Sequence, residues 1–151
     1  MSNPTAAKFG HPRTLVAETE HWLVLVRPTQ LSLGSLVLVC KEEAKSLSQV
    51  SAATFADLKP VTSRLEPVLK AFVAYERINY TALMMVDPDV HFHVFPRYSE
   101  TRRRDGIDFP DAGWPGPPRF DTGVKLEGEI LDRLTADLRR LWETLGLEGG
   151  A

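Results

Sequence analysis

Three short apolar runs occupy residues 14–17, 21–26 and 35–40, and polar residues separate them. Apolar and β-branched runs of this length between turn-forming residues are typical of β-strands. The connections, including a predicted loop over residues 28–34, are too short for the crossovers that join parallel strands. The pattern therefore predicts an antiparallel sheet in the first part of the chain.

A helix is predicted in the middle of the chain, beginning after Ser51, a residue type that favours the N-cap position. Apolar residues then recur at intervals of three and four, as on one face of a helix: Phe55, Leu58, Val61, Leu65, Val68, Leu69 and Phe72. Pro60 and Pro67 interrupt the pattern. Because each proline removes a backbone donor and clashes with the preceding turn, we expect a kink or two abutting helices.

The chain then returns to strand patterns over residues 78–86 and 89–95. Between them stands Asp87-Pro88, a polar turn sequence, so the two segments are predicted to form a hairpin. Together with the earlier runs they give about five strands.

The chain has 10 glycines and 11 prolines, and eight of these residues, counted together, fall within residues 106–123. This concentration predicts a Pro/Gly-rich loop over residues 100–124. A leucine-rich face predicts an amphipathic helix over 125–146, with Gly146 as its C-cap. Residues 1–13 show little periodicity and are interpreted as a loose N-terminal lead-in. The expected fold is α+β, in one domain over 1–151: an antiparallel sheet, a central helix and a C-terminal helix.

Charge and cysteine content narrow the range of partners. The net charge is −2 and the isoelectric point about 6.1, so no basic field recruits nucleic acid or an anionic membrane. One cysteine, Cys40, excludes an intramolecular disulfide and a cysteine-rich zinc site. No apolar run approaches the roughly 20 residues that cross a bilayer, and residues 1–15 lack the apolar centre of a secretory signal. We expect a cytoplasmic protein without a membrane or nucleic-acid partner.

The candidate chemistry lies in the predicted strand over 89–95. Asp89, His91 and His93 occupy alternate positions, and side chains alternate between the two faces of a strand. The intervening residues are apolar and suit the core side. The strand therefore predicts a row of titratable groups on one face, followed by Pro96-Arg97.

This segment resembles the signature of the histidine-triad (HIT) superfamily of nucleotide hydrolases and transferases, a strand with three alternating histidines that Pro-Arg often follows. Residues 34–41, Ile78-Asn79 and residues 114–117 are similar to further family segments, and the resemblance covers roughly residues 15–120. The chain is identified as a divergent, bacterial-type member, with Asp89 in place of the first histidine.

Three further positions depart from the family pattern. Met85 falls near a glutamine that contacts phosphate in many members, and Arg27 replaces the acidic residue that usually holds the ribose. Ser35 replaces the histidine of the family's Gly-His pair. These departures bear on the recognition of base and ribose more than on the fold.

The resemblance implies that His91 is the nucleophile that becomes nucleotidylated and that His93 hydrogen-bonds near the transferred phosphate. It implies cleavage of a phosphoanhydride or phosphoramidate bond in a nucleotide such as a dinucleoside polyphosphate. Asn79 and Arg97 are the candidate substrate-binding residues. No cofactor is required, although a divalent cation can accompany a polyphosphate. A homodimer is expected, because family members often form one.

Asp89 is the third candidate catalytic residue, and its role stays open. An ionised carboxylate accepts hydrogen bonds but cannot donate one to a leaving phosphate. Asp89 is therefore either protonated, or orients a histidine, or binds a cation that bridges to the phosphate. We favour an orienting or proton-handling role.

Two alternatives to histidine catalysis are kept. In the first, Asp89, His91 and His93 hold a metal ion, with a further ligand from His11 or His21. In the second, the incomplete triad leaves a nucleotide-binding module without catalysis.

Overall fold

The computed structural model describes residues 3–148, with side chains described as far as residue 145. Three helices and nine strands follow one another in chain order, with a single 3₁₀ turn, Leu47–Gln49, before the second helix. They are α1 (Pro4–Lys8), β1 (Leu15–Glu18), β2 (Trp22–Val26), β3 (Thr29–Gln30), β4 (Leu36–Cys40), α2 (Ala52–Val73), β5 (Arg77–Thr81), β6 (His91–Arg97), β7 (Arg102–Arg104), β8 (Ile107–Phe109), β9 (Val124–Lys125) and α3 (Gly128–Glu148).

The central sheet has five antiparallel strands in the order β1-β2-β4-β6-β5, which confirms the predicted α+β architecture. β2 and β4 are buried along their whole length because both faces of the sheet are covered. One face packs on the core shared with α2 and α3, where Trp22, Leu38 and Leu69 lie. None of the helices in the described part of the chain is long and apolar enough to cross a membrane.

The opposite face of the sheet carries a smaller apolar cluster that includes Phe9, just after α1. Val37 and Val39 of β4 belong to this cluster, and they are the register partners of His93 and His91 in β6. Because register partners on neighbouring strands point to the same face, both histidines lie on the α1 side of the sheet.

The central helix α2 begins where the sequence predicts, with the Ser51 side chain accepting a hydrogen bond from the amide of Thr54. The expectation of two abutting helices is wrong, since one helix runs through Pro60 and Pro67. Both prolines are exposed. They stand seven residues apart on the solvent face, so the lost backbone hydrogen bonds do not lie in the core.

The predicted tight hairpin turn at Asp87-Pro88 is also wrong. β5 and β6 do pair, but β5 ends at Thr81 and β6 begins at His91, so residues 82–90 form a longer connection. The apolar residues that suggested a strand here, Leu83, Met85 and Val86, are exposed. The apolar composition of the segment misled, since only Val90 and, in part, Met84 pack on the core.

The ends of the chain differ from the predictions as well. Residues 1–13 are not a loose lead-in throughout, because Asn3 caps α1 and Pro4 occupies its first turn. The stretch 100–124 contains the β7–β8 hairpin. The C-terminal helix begins at Gly128, since residues 124–125 pair with β3, and it continues past Gly146 to Glu148.

Candidate active site

A cavity of about 430 Å³ lies over the α1 face of β6, and we call it the histidine cavity. His91 and His93 form its floor, and its walls come from the end of α1, the segment after β2, the 82–90 connection and the Pro/Gly-rich loop. The wall residues include Lys8, Phe9, Arg27, Met85, Asp87, Phe120 and Lys125. Two of the predicted catalytic residues therefore share one ligand-sized cavity.

His91 is held in a single tautomer by the main chain. Its Nδ1 lies 2.6 Å from the carbonyl oxygen of Asp89. A carbonyl oxygen only accepts hydrogen bonds, so Nδ1 carries the proton and donates. In the neutral ring Nε2 then carries a free lone pair. His91 thus has the atom that a histidine nucleophile requires.

His93 is held in the opposite tautomer. The Nε of Arg27 donates to His93 Nδ1 at 3.3 Å, and a guanidinium has no acceptor atom. The lone pair is therefore on Nδ1 and the proton on Nε2. Burial, together with the charges of Arg27 and His91, lowers the pKa of His93 to about 3. His93 is consequently a neutral hydrogen-bond donor near pH 7.

Aromatic rings surround the two imidazoles. The His91 and His93 rings lie 5.0 Å apart in a T-shaped arrangement, and Phe9 contacts both. The ring of Phe95 stacks parallel to that of His93, and Phe120 meets it edge-on. These contacts hold the two imidazole rings in place.

Asp89 does not belong to the predicted row, because β6 begins only at His91. Its carboxylate accepts hydrogen bonds from Lys45 and from Thr5, the latter at 2.9 Å. It lies in a second cavity, lined also by Asn3, His11 and Lys41. The hydrogen bond from Lys45 holds the pKa of Asp89 below its usual value, so this carboxyl group is ionised rather than protonated. It orients His91 through its main-chain oxygen, not through its side chain.

The fold of this chain is similar to that of solved proteins, although its sequence matches no family model. No protein-family model matches the sequence, and no curated protein matches it significantly. Among solved structures, a histidine triad protein from Marinobacter aquaeolei VT8 is 21% identical, with a TM-score of 0.73 over 96% of this chain and 97% of that one. A histidine triad protein from Sinorhizobium meliloti 1021 is 20% identical, with a TM-score of 0.71 over 93% and 95%. The chain has the histidine-triad fold.

More distant structures share this fold too. A zinc-bound histidine triad family protein from Mycobacterium smegmatis is 17% identical, with a TM-score of 0.65 over 98% of each chain. The diadenosine triphosphate hydrolase of Plasmodium falciparum is 10% identical, with a TM-score of 0.58 over 89% of this chain and 78% of that one.

Asn79 and Arg97 lie outside the histidine cavity of this histidine-triad fold. The Arg97 guanidinium forms a bidentate ion pair with Asp111, at 2.7 and 3.0 Å, and also donates to the side-chain oxygen of Asn79 and to the carbonyl of Gly116. Arg97 stands six residues after His91, about 20 Å along an extended strand. The structure therefore does not bring these two predicted substrate-binding residues to the histidines. Arg97 instead ties the Pro/Gly-rich loop to β6.

The metal alternative finds no support in the residues that the structure describes. Among them, no three side chains of His, Cys, Asp or Glu are grouped as metal ligands. The Asp89 carboxylate is occupied by Lys45, and His21 contacts Asp57 instead.

Sequence reasoning missed several cavity residues. Lys8 is the last residue of a helix of only five residues, which is too short for a periodic pattern, and Phe9 follows it. Phe120 lies near the end of the Pro/Gly-rich loop, which also contains Trp114, and it is 40% exposed. A large apolar residue in such a loop is the one signal that could have indicated contact with a site.

Proposed function

We propose that this protein cleaves a phosphoanhydride or phosphoramidate bond of a nucleotide through a nucleotidyl intermediate on His91. The observation that carries the proposal is the pair of opposite tautomers on one cavity floor. The Asp89 carbonyl leaves a lone pair on His91 Nε2, and Arg27 leaves a proton on His93 Nε2. A nucleophile and a neutral donor thus lie side by side.

The proposed reaction has two displacements at phosphorus. In the first, the lone pair of His91 Nε2 forms a P–N bond, and the bond to the leaving group breaks with its electron pair going to the leaving oxygen or nitrogen. The leaving group takes up a proton from solvent. In the second displacement a water oxygen attacks the same phosphorus and releases one proton to solvent, while the P–N bond breaks and its electron pair returns to His91 Nε2. Splitting the reaction this way replaces one difficult step by two easier ones.

His93 and the main chain support this nucleophile. The Nε2 proton of His93 is available to a phosphoryl oxygen, whose negative charge grows in each transition state. The Asp89 carbonyl accepts from Nδ1 of His91 and stabilises the imidazolium that forms when Nε2 bonds to phosphorus. No step needs a cofactor, although a divalent cation can accompany a polyphosphate substrate.

The substrate class is proposed from the same geometry and from the fold. The cavity is large enough for part of a nucleotide, and aromatic rings line it beside cationic groups. One structure with this fold is named as a diadenosine triphosphate hydrolase and another as a histidine triad nucleotide-binding protein. The first name supports a dinucleoside polyphosphate as a substrate to test. A nucleoside phosphoramidate is added because the resemblance in sequence implies it.

The test is release of nucleoside monophosphate from both substrate types, with wild type and His91→Ala measured in parallel. We expect the variant to lose at least about 10³-fold in kcat, since no other nucleophile replaces the imidazole. His21→Ala is the matched control, because His21 contacts Asp57 outside the cavity and its removal leaves the nucleophile in place.

The other outcomes separate the alternatives. Turnover that a chelator abolishes would support a metal-dependent reaction instead. Nucleotide binding without any product would indicate a binding module, which is favoured by one observation: the side chain at position 89 is directed to Lys45 rather than to the histidines.

A further inference from the structure

Arg27 is built into the wall of the histidine cavity just after β2. Its Nε donates to His93, and its Nη1 donates to the carbonyl of Thr29 at 2.7 Å. Its Cζ lies 5.9 Å from the ring centres of both Phe95 and Phe120. The guanidinium is thus fixed in place, and two of its five N–H groups are used by these bonds.

The positive charge of Arg27 is not balanced by any ion pair within the described part of the chain. Burial lowers the pKa of Arg27 from its ordinary value. Lys125 lines the same wall, on the strand that pairs with Thr29, and it too forms no ion pair with a described carboxylate. Lys8, by contrast, pairs with Asp87 at 2.7 Å. A half-buried cation without a partner is unfavourable unless an anion binds to it.

The position of this charge along the strand separates it from the reacting atom. His91, His93 and Phe95 follow one another at alternate positions of β6, which are about 6.5 to 7 Å apart. Arg27 contacts His93 and Phe95, on the side away from His91. An anion held by Arg27 therefore lies roughly one such repeat from the phosphorus that His91 attacks.

We propose that Arg27, assisted by Lys125, forms a subsite for a second phosphate of the nucleotide substrate. This inference rests on the proposed function and names the substrate class: a nucleotide with a phosphate group beyond the one that reacts at His91. The planar guanidinium suits bidentate binding of phosphate oxygens. The second phosphate is either on a ribose hydroxyl or further along a polyphosphate chain, and both present the same anion to Arg27.

Binding measurements test this subsite without any need for turnover. Dissociation constants of AMP, ADP and adenosine 3′,5′-bisphosphate are measured by calorimetry for wild type, Arg27→Met and Arg103→Met. We expect wild type to bind at least one of the two diphosphorylated probes about tenfold more tightly than AMP. Arg27→Met should lose this preference. The preference is the ratio of two dissociation constants measured on the same variant, so a general effect of the substitution on the cavity cancels. Arg103→Met removes an equal charge on the exposed β7–β8 hairpin and should retain the preference.

The two probes distinguish the sources of the second phosphate. A preference for the 3′,5′-bisphosphate alone supports a ribose phosphate, and a preference for ADP alone supports a polyphosphate chain. Equal binding of all three probes to wild type would overturn the proposal, as would a preference that survives in Arg27→Met. If Arg27→Met does not fold, Lys125→Met is measured in its place, because Lys125 is exposed. An unchanged preference for the diphosphorylated probe in that variant would overturn the proposal.

This outcome is separable from that of the proposed function. Loss of turnover in His91→Ala concerns the chemistry, whereas the ratio of dissociation constants concerns only the anion subsite. If the protein shows no turnover but its preference for a second phosphate depends on Arg27, the proposed hydrolase function is rejected and the proposed phosphate subsite is supported.

Discussion

At the scale of single residues, two identical side chains acquire different chemistry from their neighbours. A main-chain carbonyl accepts from His91 Nδ1, and a guanidinium donates to His93 Nδ1. The two Nε2 atoms are therefore in opposite states, one with a lone pair and one with a proton to donate. Differences in environment of this kind separate roles within a pair of titratable groups.

The titration of His93 is the first prediction at this scale. Because its pKa is lowered to about 3, the folded protein should keep this ring neutral over the range in which an unfolded histidine becomes charged, near pH 6.5. Arg27→Met removes one cause and should raise the pKa of His93, although burial still keeps it below 6.5. Imidazole NMR signals followed from pH 8 to pH 4 measure both values. A wild-type His93 that titrates near pH 6.5 would contradict the lowered pKa and the burial that causes it.

Asp89 gives a stability prediction, and its pH dependence has the same sign as that of His93 because the pKa of each group is lowered in the folded protein. Hydrogen bonds from Lys45 and Thr5 lower its pKa, so its ionised form stabilises the fold above the unfolded value of about 3.9. This contribution is lost as the pH falls through the folded pKa. Asp89→Asn should lower the free energy of unfolding by about 1 to 3 kcal/mol at pH 7 and by less near pH 3.

Urea unfolding at both pH values measures this difference. Asp108→Asn is the control, because its partner Arg103 and the carboxylate are both exposed, and such pairs contribute little. An equal loss for Asp89→Asn at pH 7 and pH 3 would show that its charge is not what stabilises the fold.

At the scale of elements, the structure shows which patterns in the sequence were sufficient to predict a strand or a helix. The runs in β2 and β4 are apolar on both faces because both faces are covered. The spacing in α2 matches one buried face from Val61 onward, whereas Phe55, predicted on that face, is exposed. The 82–90 connection was misread, since its exposed apolar residues imitate strand alternation. α1 was missed because five residues cannot show a helical period.

Phe9 provides the prediction for α1. Its ring is buried and contacts both imidazoles, so Phe9→Ala should cost about 3 kcal/mol of unfolding free energy and lower kcat by loosening His91. Phe55→Ala removes the same side chain from an exposed position of α2, and it should cost less than about 0.5 kcal/mol. Denaturant unfolding and monophosphate release measure the two effects. Equal behaviour of the two variants would contradict a structural role of α1 at the site.

At the scale of the whole molecule, the two edges of the sheet differ. α3 packs against β1 at one edge. The other edge, β5, is partly exposed, and the exposed apolar residues Leu83, Met85 and Val86 follow it. Open strand edges next to exposed apolar groups favour pairing with another chain.

We therefore expect the homodimer to form through the β5 edge. Tyr80 of β5 is 37% exposed, and Tyr80→Lys should shift the protein from dimer to monomer at micromolar concentration. Phe55, on the first turns of α2, is 39% exposed, and Phe55→Lys should leave the dimer intact. Light scattering coupled to gel filtration measures the mass of each variant. A monomeric wild type, or a dimer unaffected by Tyr80→Lys, would contradict this interface.

The same scale explains what the sequence could reveal of the site. His91 and His93 are recognisable because their spacing is local to one strand. Lys8, Phe9 and Phe120 reach the cavity only through the arrangement of α1 and the Pro/Gly-rich loop around the sheet, which no local pattern records. Asn79 and Arg97 were assigned to the substrate from the family resemblance, but Arg97 forms an internal ion pair with Asp111.

The central claim is that His91 Nε2 becomes covalently bonded to the nucleotide, and trapping that intermediate tests it most directly. Wild-type protein is mixed with a nucleoside phosphoramidate, quenched in alkali, where phosphohistidine survives, digested and sequenced by mass spectrometry. The account predicts a nucleotidyl group on the peptide that contains His91, at Nε2, and none in His91→Ala. Turnover without any adduct on His91, or an adduct on another residue, would contradict it.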